Sequence, residues 1–394
     1  MMTCVAQGLP SVLVESISLH RIRAFYAAYF AAMGLLLPFF PVFLDARGLA
    51  AGQVGLLVGL LAAAKVVAPP VIGALLDGRG AQDVRRFIVF SSLMAGMLVW
   101  LLQQMDALWS LAAIVFLFGF LWAAVLPLTD GLSVSISEAA LVDYGRLRVW
   151  GSLGFIAASL AGGIWFSTRL DDFPLWLAML MLAMAWAARR FPAPPPAAPE
   201  RGGIRPMPWA MLGWLLLAGF LMQASHGAYY GFFSLYLADA GYAQWQVGGF
   251  WVLGVLAEVV LMWCWSGFLQ RQVPRNVFVS CLLLAAVRWA GMALGTHWLL
   301  LGLLQCLHAA SFAAFHIAAV TWIGRMVPPG RQSSAQGWYS AMGFGLGGTL
   351  GIMGAGWIVE SMGYMVAFLV CAALALLALP AAWRVSRRSG PRSD

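Results

Sequence analysis

A chain of 394 residues that is 62% hydrophobic and only 10% charged, with 19 Trp and 24 Phe, cannot hide its apolar surface in a soluble core, and reads as a polytopic membrane protein. The net charge of +8 does not point to nucleic acid, because the arginines recur in short loops between apolar runs. The five cysteines, Cys4, Cys264, Cys281, Cys306 and Cys371, make no CxxC pair and give no sign of a metal site or a disulfide framework.

Residues 1–20 have no basic start ahead of the weak apolar run VLVES, so they read as a soluble tail and not as a signal peptide. Twelve apolar spans follow, at 22–44, 52–76, 86–104, 108–136, 147–168, 174–190, 209–237, 246–270, 276–296, 298–324, 333–359 and 364–383. Each is close to the ~20 residues that cross a bilayer. Pro38, Pro41, Pro69, Pro70 and Pro127 fall inside spans and imply interruptions. The run FPAPPPAAPERGGIRPMP, residues 191–208, reads as a linker kept wet by charge and kept unfolded by proline. The expected organisation is a six-helix bundle over 21–190, the linker, a second six-helix bundle over 209–383 and a tail over 384–394.

Arginines such as Arg21, Arg85, Arg146, Arg189, Arg271 and Arg384 fall on one side of the spans. The other side has Arg47 and Arg169 among Asp45, Asp106, Asp171, Asp172, Asp239 and Glu360. The positive-inside rule then puts both ends of the chain in the cytoplasm. The halves also repeat faintly: FFPVFLDARGLAAGQVG (39–55) resembles FFSLYLADAGYAQWQVG (232–248) at a constant offset of 193, which sets Lys65 opposite Glu258.

Ionisable groups inside the spans are few. Lys65, the only lysine, lies in the second span, Asp130 in the fourth, Arg148 at the start of the fifth, Glu258 in the eighth and Arg288 in the ninth. His226 is in the seventh, and His308 and His316 are in the tenth. A central charge costs ~2.5–3.5 kcal/mol on insertion scales, so four deep charges left unpaired would cost on the order of 10 kcal/mol. They must pair, face water or titrate. The plainer readings are an Asp130–Arg148 pair that only joins helices, histidines that only bridge helices, a lysine that snorkels, and packing roles for Tyr229 and Tyr230. On a regular helix His308 and His316 would stand about 80° and about 12 Å apart, poor geometry for one metal. The run GFGLGGTLGIMGAG, 343–356, suits close helix packing. A membrane-embedded enzyme has little support, since no HExxH, GxSxG or phosphate loop is present.

The segments PLTD (127–130), DYGRLRVWGS (143–152), HGAYYGF (226–232), LGVLAEV (253–259), VRW (287–289) and LHAASFAAFH (307–316) carry a resemblance. Over nearly its whole length the chain resembles the phenylpropionate permease family of proton symporters, within the major facilitator superfamily. GALLDGRG, 73–80, partly matches a cytoplasmic-loop signature of that superfamily. More distantly the chain resembles the lactose permease family. That likeness sets Asp130 and Arg148 at its fourth-helix glutamate and fifth-helix arginine partner. It also sets Glu258, Arg288 and His308 at its eighth-helix glutamate, ninth-helix arginine and tenth-helix histidine. Its proton-carrying glutamate is Ser311 here, its seventh-helix acid is His226, the eleventh-helix lysine is Phe344 and the sugar-stacking tryptophan is Phe155. The resemblance therefore carries over neither the sugar site nor the proton carrier.

The expectation is an all-α integral membrane protein of twelve helices in two bundles, a symporter working by alternating access. Its cargo would be a small aromatic monocarboxylate with a proton, since Lys65, Arg288 and Arg148 suit an anion. The alternatives are a sugar or nucleoside symporter of the same fold, or drug efflux. Substrate contacts are expected from Lys65, Arg288, Tyr229, Tyr230, Phe155 and His226. Proton coupling is expected from Glu258 first, Asp130 second and His316 third, with Arg148 and His308 as partners. No cofactor or metal is expected, and the protein should work as a monomer in the inner membrane.

Overall fold

The computed structural model describes residues 9–76, 79–140, 144–191, 206–328 and 331–385. Every regular element among them is helical. A lipid-exposed backbone must satisfy its hydrogen bonds internally, and apolar runs of this length do so only as helices. Among the described residues, ten segments are long and apolar enough to cross a membrane. The last, Gln332–Arg384, is two spans merged across Gly363, whose φ of 82° breaks the helix. The seventh span is split into Trp209–Ala224 and Gly227–Asp239, each too short alone. Those two features bring the count to twelve.

Several expectations need adjusting. The first helix, Leu9–Ala46, begins inside the stretch read as a tail. Pro38 and Pro41 lie within that unbroken helix, and Pro69 and Pro70 within Ala51–Leu76. Only Pro127 adjoins a break, where Leu108–Ala123 gives way to Val125–Ala140. A proline has no N–H to give, and its ring crowds the carbonyl four residues back, here Ala123. The linker 192–205, most of the last tail, Asp77 and Gly78 of the loop signature, and Asp143 lie outside the described residues.

The break in the seventh span has side-chain causes. Ser225 Oγ donates to Met222 O at 2.6 Å, and His226 Nδ1–H donates to the same carbonyl at 2.8 Å. Together they satisfy a carbonyl that a continuing helix would have used.

The described residues form two compact units. One comprises 9–36 and 67–191, the other 37–66 and 206–385. Thus the adjoining halves of the first two spans, residues 37–66, group with the second unit and not with the rest of the first bundle. In the first unit the first and fifth spans touch through backbone: a Cβ on Gly154 would strike the Ala27 carbonyl, and Ser159 Oγ donates to Gly34 O at 2.9 Å. In the second unit a Cβ on Gly351 would strike the Ala224 carbonyl, so the glycine run 343–356 does serve close approach.

The internal repeat appears as two matching elbows. Gly48 (φ 80°) and Gly241 (φ 86°) occupy repeat-related positions, both in the left-handed region that suits glycine. Gly48 N donates to Asp45 O at 2.8 Å, and Gly241 N to Ala238 O at 2.9 Å. Gln53 Oε1 then accepts from Ala50 N at 3.0 Å, and Gln246 Oε1 from Ala243 N at 2.9 Å. Each glutamine reaches back to cap the helix it begins.

Candidate functional site

The deep charges of the second unit meet in one network. The eighth helix, Gln244–Arg271, supplies Glu258, and the ninth, Pro274–Leu294, supplies Arg288. The tenth span supplies Gln305, His308 and Ser311, and it changes to π geometry over Ala309–Ala314 directly after His308. Such wide turns recur at functional sites because they re-aim a side chain.

Arg288 has no exposed surface. Its Nη1 donates to His308 Nδ1 at 2.8 Å and to Ser311 Oγ at 3.2 Å, and its Nη2 to Gln305 Oε1 at 2.9 Å. The same Gln305 oxygen accepts from Tyr229 OH at 3.3 Å. The guanidinium carbon lies 4.3 Å from the centre of the Tyr229 ring and 4.4 Å from a Trp289 ring centre. Aromatic faces thus take part of the charge that water would otherwise hold.

His308 Nε2 is 2.8 Å from Glu258 Oε1. A guanidinium can only donate, so the network assigns Nδ1 as the acceptor and leaves the one hydrogen of a neutral imidazole on Nε2, facing Glu258. Arg288, His308 and Glu258 thus form one continuous chain of contacts. Glu258 and His316 also interact electrostatically.

Arg288 Nε, Gln305 Nε2 and His226 Nε2, all buried, have no hydrogen-bond partner among the described residues. Since His226 gives its Nδ1 hydrogen to Met222, its Nε2 is a bare acceptor. An unmatched buried polar group costs ~1–3 kcal/mol, so two donors and one acceptor are left open to polar partners here. Tyr230 stacks on His226 at 5.6 Å, and Trp251 lies 4.7 Å from Tyr229, ring centre to ring centre. The surroundings are therefore aromatic.

Lys65 is half-buried and makes no hydrogen bond or ion pair among the described residues. Its neighbour Val66 lies against Gly345 of the eleventh span. The repeat sets Lys65 opposite Glu258, a relation that would let the amine pair with the carboxylate. His308 takes that place, because the eighth helix packs against the π segment. His316 stacks on Tyr339 at 5.8 Å, with Phe344 at its edge and its Nδ1 unpaired.

The first unit has its own polar centre. Asp130 Oδ1 accepts from Tyr26 OH at 2.6 Å and from Tyr144 OH at 2.9 Å. Arg148 Nε stands 4.0 Å away, with its guanidinium 4.2 Å over the Phe30 ring, so the bidentate carboxylate–arginine geometry is not formed. Two tyrosine hydroxyls fill the near positions first. Phe155 is buried, with its backbone against Gly34.

The comparisons with known proteins cover most of the chain. The model of the MFS_1-like family matches residues 19–370. The chain belongs to this family. Over 378 residues, 90% of this chain and 94% of the relative, it is 31% identical to a protein of Escherichia coli K12 named a probable 3-phenylpropionic acid transporter. Over 350 residues, 85% of this chain and 86% of the relative, it is 27% identical to a maltose permease of Geobacillus stearothermophilus. An aspartate-to-alanine variant of the nucleoside transporter NupG superposes with a TM-score of 0.82 at 18% identity, covering 93% of this chain and 99% of that one. The MFS_1-like chain is thus a multi-pass membrane transporter of the major facilitator fold and not an enzyme.

Sequence reasoning named Arg288, Glu258 and His308 but missed Gln305, Tyr26 and Tyr144. Gln305 had a signal: an amide in an apolar run, three residues before His308 and so on the same helix face. The two tyrosines had none, since their common target lies on a third helix.

Proposed function

We propose that this MFS_1-like transporter carries a small aromatic monocarboxylate into the cell together with a proton, by alternating access. The arginine distribution supports placing both chain ends in the cytoplasm and the protein in the inner membrane. A monoanion entering against ~100 mV, inside negative, is opposed by about 2.3 kcal/mol, roughly fifty-fold in concentration. One accompanying proton makes uptake electroneutral.

The observation that carries the reading is the chain Glu258–His308–Arg288. While Arg288 donates to Nδ1, His308 has no site for a second proton, so Glu258 is the group left to take one. Without substrate, Glu258 offsets Arg288 through the neutral imidazole. A substrate carboxylate that takes up the free Nε–H of Arg288 and the Gln305 amide becomes a second anion on one cation. The network returns to balance only when Glu258 is protonated. An uncompensated charge at this depth costs ~2.5–3.5 kcal/mol, so each ligand favours the other on the order of a hundredfold. Tyr229, Tyr230, Trp251 and Trp289 suit an aromatic body. Lys65, outside the network and without a partner among the described residues, meets the carboxylate on its way to Arg288 and does not hold it there. The relative named for 3-phenylpropionic acid agrees with this substrate class.

A second reading, a sugar or nucleoside proton symporter, draws on the likeness to maltose permease and on the neutral polar groups Gln305, Ser311 and His226. Uptake into proteoliposomes separates the two. The purified protein is offered labelled aromatic acids, sugars and nucleosides under an imposed pH gradient, inside alkaline. Accumulation of an aromatic acid that collapses with the gradient is the expected result. Accumulation of a sugar or nucleoside alone would replace the first reading with the second.

A further inference from the structure

At the end of the sixth span the structure holds a cavity of about 290 Å³ lined by Arg21, Trp186, Arg189 and Arg190. It lies outside the network around Arg288. Arg21 sets its guanidinium 3.5 Å over the Trp186 ring and reaches the Trp186 carbonyl at 3.5 Å. Arg189 and Arg190 are exposed, and none of the three arginines has a carboxylate partner among the described residues. Three cations around one recess, without a counter-charge, repel one another unless an anion joins them.

The surface leading to the recess decides what kind of anion. Leu175, Met179, Leu182 and Trp186 are each about half exposed and stand four, three and four residues apart, which is one face of a helix. The stripe is about 17 Å long, close to half of a ~30 Å hydrocarbon core, or one leaflet. A charged recess at the head of an apolar stripe one leaflet deep matches an amphiphile and not a free ion. We infer that this cavity binds the headgroup phosphate of an anionic phospholipid, with an acyl chain along Leu182, Met179 and Leu175. The Trp186 ring sits at the polar–apolar boundary, where tryptophan anchors to lipid interfaces.

The test uses the full-length protein in mild detergent, with retained lipid counted by native mass spectrometry during titration with phosphatidylglycerol or phosphatidylcholine. The expected result is preferential retention of phosphatidylglycerol that excess inorganic phosphate does not displace. Each arginine near a lipid phosphate contributes about fivefold, so Arg189→Gln with Arg190→Gln should weaken retention about thirtyfold. Arg189→Lys with Arg190→Lys keeps the charge and most of the retention, and Arg79→Gln with Arg146→Gln, equal in charge change but not among the cavity's lining residues, leaves it unchanged. Trp186→Ala, which removes the platform under Arg21 without altering charge, should also weaken it. Equal retention of phosphatidylcholine, displacement by inorganic phosphate, or wild-type retention by the glutamine pair would each overturn the assignment.

Discussion

Arg288 and His308 meet at 2.8 Å, and the guanidinium is the donor. That contact leaves the imidazole hydrogen on Nε2 and directs it at Glu258. Glu258→Gln keeps an oxygen able to accept this hydrogen but cannot take up a proton. The expected variant exchanges labelled for unlabelled substrate across a membrane yet fails to concentrate it when a pH gradient is imposed. Accumulation by Glu258→Gln would move the proton to Asp130.

Arg288→Lys should not be conservative. A single ammonium cannot reach His308, Ser311 and Gln305 in the fork that the guanidinium holds. Leaving such buried partners unmet costs ~3–5 kcal/mol. Substrate binding measured by calorimetry should weaken by more than about a hundredfold, and a variant that binds normally would remove Arg288 from the site.

Around Asp130 the two hydroxyls should matter more than the arginine. A hydrogen bond to a charged group contributes ~1.5–3 kcal/mol, whereas a partly exposed ion pair contributes ~0–1 kcal/mol. Double-mutant cycles by thermal unfolding should couple Tyr26→Phe and Tyr144→Phe to Asp130→Asn more strongly than Arg148→Gln. The reverse order would mean that Arg148 closes on Asp130 in the functional state. Asp130→Asn and Arg148→Gln should each still impair transport.

Lys65→Ala should abolish uptake while leaving the amount of folded protein in the membrane unchanged, because no described group depends on that amine for pairing. Wild-type uptake by this variant would make Lys65 a bystander.

Gly351→Ala drives a methyl into the Ala224 carbonyl, and overpacking of this kind costs ~1–3 kcal/mol. Gly213→Ala, with open space around it, should instead be neutral or stabilising by ~0.5–1 kcal/mol. Melting temperatures in one detergent compare the two directly, and equal shifts would deny the backbone contact.

What the sequence showed depended on the range of the interaction. Length and hydropathy made the spans legible, because the bilayer sets one scale for all of them. The cost of deep charge singled out Arg288, Glu258 and Asp130 one residue at a time. Their partners were harder to see. The Lys65–Glu258 relation came from treating the repeat as symmetric in chemistry, and the tenth span was read as a regular helix. The π segment at Ala309–Ala314, which begins directly after His308 and packs against the eighth helix, leaves no mark on hydropathy, and neither does the His308–Glu258 contact beside it. The split at Ser225 and His226 was hidden for a similar reason: two side chains competing for the Met222 carbonyl leave no mark on hydropathy.

The two elbows bear on how the chain is made. Gly48 with Gln53, and Gly241 with Gln246, close their turns using bonds no more than three residues apart. Each helical hairpin therefore leaves the translocation machinery with its turn already satisfied and can enter lipid before any distant helix exists. The first hairpin needs this most. Its turn half, residues 37–66, groups with residues from 206 onward, which are synthesised well over a hundred residues later. In that interval the local turn is what keeps the nascent hairpin in shape, and weakening Gly48 or Gln53 should reduce yield from the ribosome more than it reduces the stability of the finished protein.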